Sequence, residues 1–407
     1  MSIFEGFLSA SETIAAFGDG NFVAAMLRFE AALARAQAAE GLIPEAAAQS
    51  IIGACKVELF DVAQIVRDSG RAGSVAIPLI KALKEAVGRL DADAAAFVHF
   101  GSTSQDVIDS AMSMVTREAL SLIESDLDRA TQALLGHAVQ HAATPMLART
   151  LMQPGSVTSF GLKCAGWAAP LVRSRLRLAA AAERAISVQL GGAVGTLAQM
   201  KDKGPAVRQR VAEALGLADS GATWHTQRDE WVGMGCELGI LAGSLGKIAT
   251  DIALMGQYEV GEVAEPTEPG RGGSSAMPHK RNPVAAMVAL AAAHRTPQRV
   301  AALLAAMPQQ HERALGGWQA ELAEWPQLML SVHGSVHALA GALPGLVIDA
   351  ARMRANIDTL RAELPKAAAD EWFDPALARH AAGVALARVD TLRAQLAHIA
   401  PPRSTKV

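Results

Sequence analysis

One helical pattern of more than thirty residues, from about Asp109 to Ala143, most constrains what this chain can fold into. Apolar residues recur along it at helical spacing. They are Met112, Val115, Ala119, Leu122, Leu127, Leu134 and Leu135. A helix of this length is well above the globular mean and needs partners of similar length to cover its apolar face. The pattern therefore predicts a bundle of long helices.

Four further long helical patterns follow along the chain. They run from about Ser156 to Ser187, from Gln227 to Tyr258, from Pro283 to Met307 and from Ala314 to Leu343. A kink is expected at Pro297 in the third pattern, and an interruption is expected near Pro326 in the fourth. Aromatic residues make up only 4% of the sequence, and the chain favours Ala, Leu, Glu and Arg, which are helix formers. The sequence thus predicts an all-α fold with five long helices.

At 407 residues the chain is too long for one ordinary core, and three domains are expected. Residues 1–108 carry shorter helical patterns with Gly- and Ser-bearing breaks at 68–78 and 100–106, and are predicted to form an N-terminal helical domain. Residues 109–346 are predicted to form the central bundle of long helices. Residues 347–407 are predicted to form a short C-terminal helical domain, whose polar ending PPRSTKV is expected to be disordered.

The charge pattern argues against two classes of partner. The formal net charge is −3, with both signs spread along the chain, so neither nucleic acid nor an anionic membrane surface is expected as a partner. The stretch from Trp231 to Met255 could be mistaken for a membrane span. It contains Glu237, Lys247 and Asp251, which would be costly at the centre of a bilayer. We therefore predict a helix buried on most sides inside the bundle.

Two features favour a reducing, cytoplasmic location. The first twenty residues lack the basic start and continuous apolar core of a signal peptide, and the first basic residue is Arg28. The three cysteines, Cys55, Cys164 and Cys236, are far apart and odd in number, so a disulfide framework is not expected. Small buried thiols are the expected state of these side chains.

The segment GRGGSSAMPHKRNP, residues 270–283, is the least ordinary stretch of the chain. Its glycines allow close approach of the backbone to a ligand, its serines offer hydroxyls, and its basic triplet offers positive charge. Asn282 before Pro283 suits the start of a helix, and a helix N-terminus favours anions. Read alone, the segment is equally well a solvated connector between helices or a reactive loop.

Three other polar stretches lie beside predicted helices. HFGSTSQD, residues 99–106, could hold a carboxylate on its hydroxyls and backbone N–H groups, although alone it is better read as a helix cap. The other two stretches are ARTLMQPGSVTSFG, residues 148–161, and WHTQRDEW, residues 224–231. His137 and His141 have the i,i+4 spacing of metal ligands but no acidic third ligand at a characteristic distance, so no metal site is predicted.

Together these segments resemble the fumarase/aspartase superfamily. GSSAMPHKRNP matches its Gly-Ser-Ser-x-Met-Pro-x-Lys-x-Asn motif at every fixed position, and HFGSTSQD matches its His-x-Gly-x-Thr-Ser-x-Asp region. RTLMQ, residues 149–153, aligns with its Arg-Thr-His-x-Gln region but has Leu151 where histidine is usual. The resemblance implies a mostly α-helical subunit of three domains with a central bundle of five long helices. It also implies a homotetramer whose active sites are shared between subunits.

Within that superfamily the connecting segments resemble the cycloisomerase family that lactonises 3-carboxy-cis,cis-muconate in the protocatechuate branch of the β-ketoadipate pathway. These segments are FEAALARAQAAEGLIPEAA, GSVAIPL, SFGLKCAGW, LGGAVGTLA, WHTQRD and HERALGGW, and they cover residues 20 to 325. The resemblance implies a small polycarboxylate substrate and no cofactor. The C-terminal region is shorter than is usual for the family.

The resemblance assigns roles to individual residues of this sequence. The catalytic serine falls on Ser274, and Lys280 and Asn282 match positions that bind carboxylate and stabilise the anionic intermediate. The residues that it implies for substrate binding are His99, Thr103, Ser104, Arg149, Thr150, Gln153, Gln227, Ser275 and Met277.

Leu151 bears on which reaction is expected. Lyases that expel an amine or hydroxide need an acid to protonate the leaving group, whereas a carboxylate is already stable as an anion. A histidine is then dispensable at this position, and an apolar residue can shape the pocket instead. Leu151 thus argues against cleavage of adenylosuccinate or argininosuccinate. A lyase of that type, which releases fumarate, nevertheless stays the alternative enzymatic function. A second alternative is a binding or structural protein that has kept the fold without the activity.

Overall fold

The computed structural model describes residues 3–268, 270–274 and 276–398. Six helices precede the bundle: α1 (Ile3–Gly6), α2 (Ser11–Ala16), α3 (Asp19–Ala39), α4 (Glu45–Ala54), α5 (Val62–Ala72) and α6 (Ala76–Leu90). Short 3-10 turns join some of them, at Val57–Leu59 and Ala94–Phe97. The predicted break at residues 68–78 is narrower than expected, because α5 and α6 leave only residues 73–75 between them.

Five long helices form the centre of the molecule, as predicted. They are α7 (Ser104–Gln140), α8 (Phe160–Ala185), α10 (Asp229–Met255), α11 (Val284–Ala306) and α12 (Gly317–Ala342), and the shorter α9 (Gly204–Leu215) lies between α8 and α10 in the chain. At 37 residues, α7 is about 55 Å long. It begins five residues earlier than predicted, inside the HFGSTSQD segment.

The five helices alternate in direction. Helix α8 begins beside the end of α7, where Gly161 N donates to His141 O, and the chain after α8 returns to the start of α7, where Gln189 N donates to Ser110 Oγ. Helix α11 runs antiparallel to α10, because Gly235 of α10 faces Leu303 and Gly246 faces Ala293. Loops therefore cluster at two opposite ends of the bundle.

Helix α12 runs in the same direction as α7, although more than two hundred residues separate them. Trp318 Nε1, near the start of α12, donates to Asp109 near the start of α7. Near the other end, His137 Nε2 donates to the carbonyl of Leu343, just after α12. We call the end with Asp109 the capping end and the end with His137 the hairpin end.

A β-hairpin occupies part of the region predicted as helix from Ser156. Strands β1 (Pro145–Thr150) and β2 (Gln153–Ser159) pair antiparallel, and α8 begins only at Phe160. Leu151 and Met152 form the two-residue turn, with φ of 51° and 67°. Positive φ at both central residues is the geometry of a type I′ turn, which usually carries Asn-Gly. The Leu-Met pair gave no sequence signal for it.

The interruption predicted near Pro326 is wrong, because α12 continues through this residue. Pro326 lies inside a continuous helix, flanked by the buried Trp325 and Leu328. An internal proline costs about 3 kcal/mol of helix stability, and burial of large side chains on both sides offsets this cost. Helices α8 and α11 likewise continue through Pro170 and Pro297.

Helix α10 is the one helix in the described chain that is long and apolar enough to cross a membrane by length and composition. Half of its most apolar stretch is buried inside the protein. The prediction of burial on most sides was therefore too strong, because Ile240 and Gly243 face outward in the single chain. Cytoplasmic location stays a prediction.

The remaining described strands and α-helices pack at the hairpin end. They are β3 (Val263–Ala264), β4 (Val347–Ile348), α13 (Ala350–Glu363), α14 (Lys366–Trp372) and α15 (Leu377–Leu396). A small hydrophobic cluster joins this C-terminal region to the hairpin through Leu147, Val157, Ile357, Phe373 and Ala378. The predicted disordered tail, residues 401–407, lies outside the described residues. The division into domains at residues 108 and 346 stays a prediction.

Candidate active site

His99, Thr103 and Ser104 lie together at the capping end. The backbone of His99 is left-handed, with φ 62°, and its Nδ1 lies 2.6 Å from Oε1 of the buried Glu30. His99 and Ser104 line a cleft of about 420 Å³ whose opposite wall is α6, including Lys81 and Lys84. The two lysines outnumber the one acid on this wall, Glu85, and the excess positive charge suits an anionic ligand.

Thr103 lies directly before α7, and its side chain is engaged by a distant residue. Its backbone N–H donates to Asp106 Oδ2 at 3.1 Å, which satisfies one donor at the helix start. Its hydroxyl accepts a hydrogen bond from Nη2 of Arg313, on the loop between α11 and α12. Arg313 lies in the HERALGGW segment but was not predicted as a site residue.

Asp106 supports the backbone beside this cleft. Its buried carboxylate accepts from the N–H groups of Gly191 and Gly192 at 3.0 and 2.9 Å, and its Oδ1 lies 2.7 Å from Nε2 of the buried His225. Gly192 has φ 67°. The carboxylate therefore fixes the LGG and WHTQRD segments to the start of α7. The sequence carries a signal for this role, because all three segments belong to the stretches that resemble the family.

A second buried acid lies one turn further along α7. Asp109 accepts from Arg228 Nη1 at 2.9 Å, and Arg228 also pairs with the buried Glu321 of α12. Burial opposes the charge on Arg228, but the two carboxylates outweigh it and raise the pKa of Arg228 above its usual value. The predicted Gln227 is exposed beside Arg228, and its Nε2 contacts Thr226 Oγ1 at 3.4 Å.

Arg149, Thr150 and Gln153 lie at the opposite, hairpin end. Arg149 forms a two-point ion pair with the buried Glu262, at 2.7 and 3.0 Å. Thr150 and Gln153 flank the turn and are exposed. Leu151 at the tip is 97% exposed, so it shapes no pocket within its own chain. A role for Leu151 in shaping a pocket shared between subunits stays a prediction.

The 270–283 segment, the signature loop, also belongs to the hairpin end. It follows β3, which begins next to Glu262, and it leads into α11. Asn282 N donates to Gly272 O at 2.8 Å, and Gly273 bridges Arg281, so the loop closes on itself at its base. Between these points the side chains of Met277, Lys280 and Asn282 are exposed. Ser275 lies outside the described residues.

Ser274 Oγ accepts a hydrogen bond from Met277 N at 3.1 Å. A donor to this oxygen stabilises the negative charge that it carries once its proton has left. We expected the N-terminus of α11 to be available to an anionic ligand, but it is already occupied. The Glu265 carboxylate accepts from Ala285 N and Ala286 N at 2.9 and 2.8 Å. The chain's own acid occupies that position.

The structure thus divides the predicted site residues into two groups. Those at the capping end are His99, Thr103, Ser104 and Gln227, and those at the hairpin end are Arg149, Thr150, Gln153, Ser274, Met277, Lys280 and Asn282. Helix α7, about 55 Å long, separates the groups within one chain. They cannot meet on a single molecule.

The cysteines and the predicted histidine pair lie outside both groups. Cys164 is buried, whereas Cys55 and Cys236 are only partly buried, so the expected burial holds for one thiol of the three. His137 and His141 bind backbone and hydroxyl groups, namely the Leu343 carbonyl and Thr144 Oγ1.

A sequence profile described as that of a lyase family matches residues 8–296. The chain belongs to this lyase family. The match begins before α2 and includes the capping-end residues, the hairpin and the whole signature loop. Membership of the fumarase/aspartase superfamily, predicted from the motifs, is therefore confirmed.

Two relatives and one solved structure show how similar this lyase is to known enzymes. It is 48% identical to a 3-carboxy-cis,cis-muconate cycloisomerase of Bradyrhizobium diazoefficiens, over 86% of the chain and 78% of the relative. It is 46% identical to a Pseudomonas aeruginosa enzyme of the same name, over 87% of the chain and 77% of the relative. The Pseudomonas putida 3-carboxy-cis,cis-muconate lactonizing enzyme superposes with a TM-score of 0.88 at 36% identity, covering 97% of this chain and 99% of that one.

Proposed function

We propose that this chain is a cycloisomerase that lactonises 3-carboxy-cis,cis-muconate. The observation that carries the proposal is 48% identity over 351 residues to an enzyme of that activity. All the fixed positions of the Gly-Ser-Ser-x-Met-Pro-x-Lys-x-Asn motif are retained in the same span. The reaction belongs to the breakdown of aromatic compounds.

The reaction is an internal addition. One carboxylate oxygen of the substrate forms a C–O bond to a carbon of the diene, and the electron pair of that double bond moves onto the neighbouring carbon. That carbon lies next to another carboxylate, into which the charge spreads. A proton from the protein then completes the C–H bond and gives the carboxylated lactone. Because nucleophile and acceptor are one molecule, positioning supplies much of the rate.

Ser274 is the proposed proton donor to carbon. The Met277 N–H bonded to its Oγ stabilises the oxyanion that remains after the transfer. Lys280 and Asn282 are exposed on the same loop, where they can reach the carboxylates that gain charge. Arg149 is better suited to holding the hairpin than to neutralising substrate, because Glu262 already balances its charge.

The substrate carboxylates need a second set of donors. The capping end offers the Thr103 hydroxyl, with Arg313 bound to it, and the cleft of His99 and Ser104 that faces Lys81 and Lys84. These groups lie at the opposite end of the bundle from Ser274 in the same chain, and α7, which runs between the two ends, is about 55 Å long.

A complete site therefore requires the hairpin end of one subunit to meet the capping end of another. Bundles packed antiparallel bring opposite ends together, and a closed symmetric assembly repeats the contact without leaving open surfaces. This geometry supports a homotetramer with shared active sites. It also gives the exposed Leu151 a place beside a neighbouring subunit's site.

The proposal is tested by offering the purified protein 3-carboxy-cis,cis-muconate without added cofactor. We expect loss of the diene absorbance and appearance of the lactone by NMR. Ser274→Ala should lose nearly all turnover and keep its helical circular dichroism, whereas Ser69→Ala, on α5 and outside both groups, should match the wild type. Release of fumarate from adenylosuccinate or argininosuccinate, without turnover of the muconate, would establish the alternative lyase. Binding of the muconate without turnover would establish a non-catalytic protein.

A further inference from the structure

Three potential metal ligands converge midway along the bundle, away from both groups of site residues. Asp126 lies on α7, and His333 and His337 lie one turn apart on α12. Nε2 of His333 is 3.3 Å and Nδ1 of His337 is 2.7 Å from the same oxygen, Oδ2 of Asp126. Among the described residues, this is the one group of histidine, cysteine and acidic side chains with metal-ligating geometry.

We propose that Asp126, His333 and His337 bind one Zn²⁺ or a similar borderline divalent cation. Two imidazoles and a carboxylate are a ligand set that Zn²⁺ accepts, with a fourth position left for water. Ligand atoms at about 2.0–2.1 Å from a tetrahedral Zn²⁺ lie about 3.3 Å apart. The His333 distance already has this value, and the His337 side chain, 47% exposed, is free to move outward by the remaining half-ångström or so.

A second residue orients the buried ligand. Nδ1 of His333 is hydrogen bonded to the hydroxyl of Thr13, which is fully buried on α2. In the metal-free protein Nε2–H of His333 faces the Asp126 carboxylate; a bound cation would take the place of this proton, with the remaining ring proton on Nδ1, where it donates to the Thr13 oxygen. Metal-binding histidines commonly use their other ring nitrogen in this way, which fixes the tautomer and the ring plane.

The charged groups around the two imidazoles sum to one negative charge, because the carboxylates of Asp126 and Glu12 are balanced by a single guanidinium, that of Arg129. Arg129 binds the other oxygen, Oδ1, at 3.0 Å and leaves Oδ2 to face the two imidazoles. The carboxylate of Glu12 on α2 also lies close enough to interact electrostatically with both histidines.

The location gives the cation a structural role. Thr13 belongs to the N-terminal segment, which crosses α12 at Gly334. The two backbones are so close there that any side chain in place of this glycine would clash with the Leu8 carbonyl oxygen. A cation bound at His333 would hold α7 and α12 together directly and α2 through Thr13. We therefore expect the cation to stabilise the attachment of the N-terminal segment rather than to take part in lactonisation.

The experiment uses the full-length protein without a histidine tag, after removal of metals with a chelator. Zn²⁺ is added in competition with a chromogenic chelator, and Co²⁺ is added separately to record its visible absorption bands. We expect one tightly bound ion per chain and Co²⁺ bands of a site with nitrogen and oxygen ligands. His337→Gln and Asp126→Asn should lose both signals.

The matched control is His141→Gln. His137 and His141 have the same spacing at the end of α7, but their described hydrogen bonds go to a carbonyl and a hydroxyl instead of a carboxylate. This variant should bind Zn²⁺ as the wild type does. Thr13→Val should keep the site with affinity lower by about 10–100-fold, because it removes the partner that orients His333.

Thermal unfolding supplies a second measurement. Zn²⁺ should raise the melting temperature of the wild type in a concentration-dependent way and leave that of His337→Gln unchanged, because a ligand that binds only the folded state stabilises it. The proposal is overturned if the wild type binds less than one equivalent tightly, if His337→Gln binds as well as the wild type, or if His141→Gln alone abolishes binding.

Discussion

Arg228 and Asp109 form an ion pair inside the bundle, with Nη1 2.9 Å from Oδ2 and both side chains 1% exposed. Glu321 is the second carboxylate on the same guanidinium. Arg228→Met would leave two buried acids without their counter-charge. We expect the free energy of unfolding to fall by about 3–5 kcal/mol, measured by chemical denaturation followed by circular dichroism.

The control for this prediction is Arg184→Met. Arg184 pairs with Glu230 at 2.8 Å, but both side chains are about half exposed. Exposed pairs contribute at most about 1 kcal/mol. Equal losses in the two variants would show that burial does not set the importance of the Arg228 ion pair.

The His99–Glu30 contact predicts a pH-dependent contribution to stability. Burial alone would lower the pKa of His99, but the charge of Glu30 and its hydrogen bond outweigh burial and raise that pKa. Folding therefore favours the protonated form. The stabilisation is complete below the unfolded pKa of about 6.5 and is lost as pH rises through the folded pKa.

We therefore expect the difference in melting temperature between the wild type and His99→Asn to be larger at pH 6 than at pH 9. Asparagine is chosen because it tolerates the left-handed backbone at this position. Melting curves from pH 5.5 to 9 provide the measurement. A difference that stays constant or grows with pH would contradict a stabilising charge on His99.

The hairpin turn stores backbone strain. Leu151 and Met152 are both left-handed and both exposed. Non-glycine residues in this region cost about 1–3 kcal/mol each, and Asn-Gly is the preferred pair for such a turn. Leu151→Asn with Met152→Gly should therefore raise the melting temperature. Leu315→Asn, at another highly exposed leucine whose φ is not positive, is the control and should leave it unchanged.

Shared active sites predict complementation between two inactive variants. Ser274→Ala disables the hairpin end, and Thr103→Val weakens the capping end. When the two proteins are mixed, unfolded together and refolded, some assemblies join an intact hairpin end to an intact capping end. We expect muconate turnover above that of either variant alone. Activity that never exceeds the sum of the parents would contradict sites built from different chains.

The five long helices could be predicted because each carries its own apolar repeat. The signature loop could be identified because its motif is local, with every fixed position within eleven residues. The hairpin could not be predicted, since Leu151 and Met152 lack the asparagine or glycine that marks such a turn. In addition, β2 contains Pro154 and Gly155, which are rare in strands.

Contacts between distant segments lay beyond what the sequence pattern could reveal. Asp106 and His225 are 119 residues apart, and Asp126 and His337 are 211 residues apart. Each side chain alone fits an exposed helix face equally well. The packing of the whole bundle places α12 beside α7, and periodicity within one helix carries no information about its neighbour.

The packing of α7 against α12 can form only after the ribosome has synthesised both helices. Trp325 Nε1 donates to Thr116 across 209 residues, and Trp318 reaches Asp109 across the same interval. At about 5–20 residues per second, the ribosome completes α12 roughly 10–40 s after α7. During that time the polar and apolar groups of α7 that α12 will bury remain uncovered by it. We therefore expect this face of α7 to stay exposed in the nascent chain until α12 has been synthesised and packs against it.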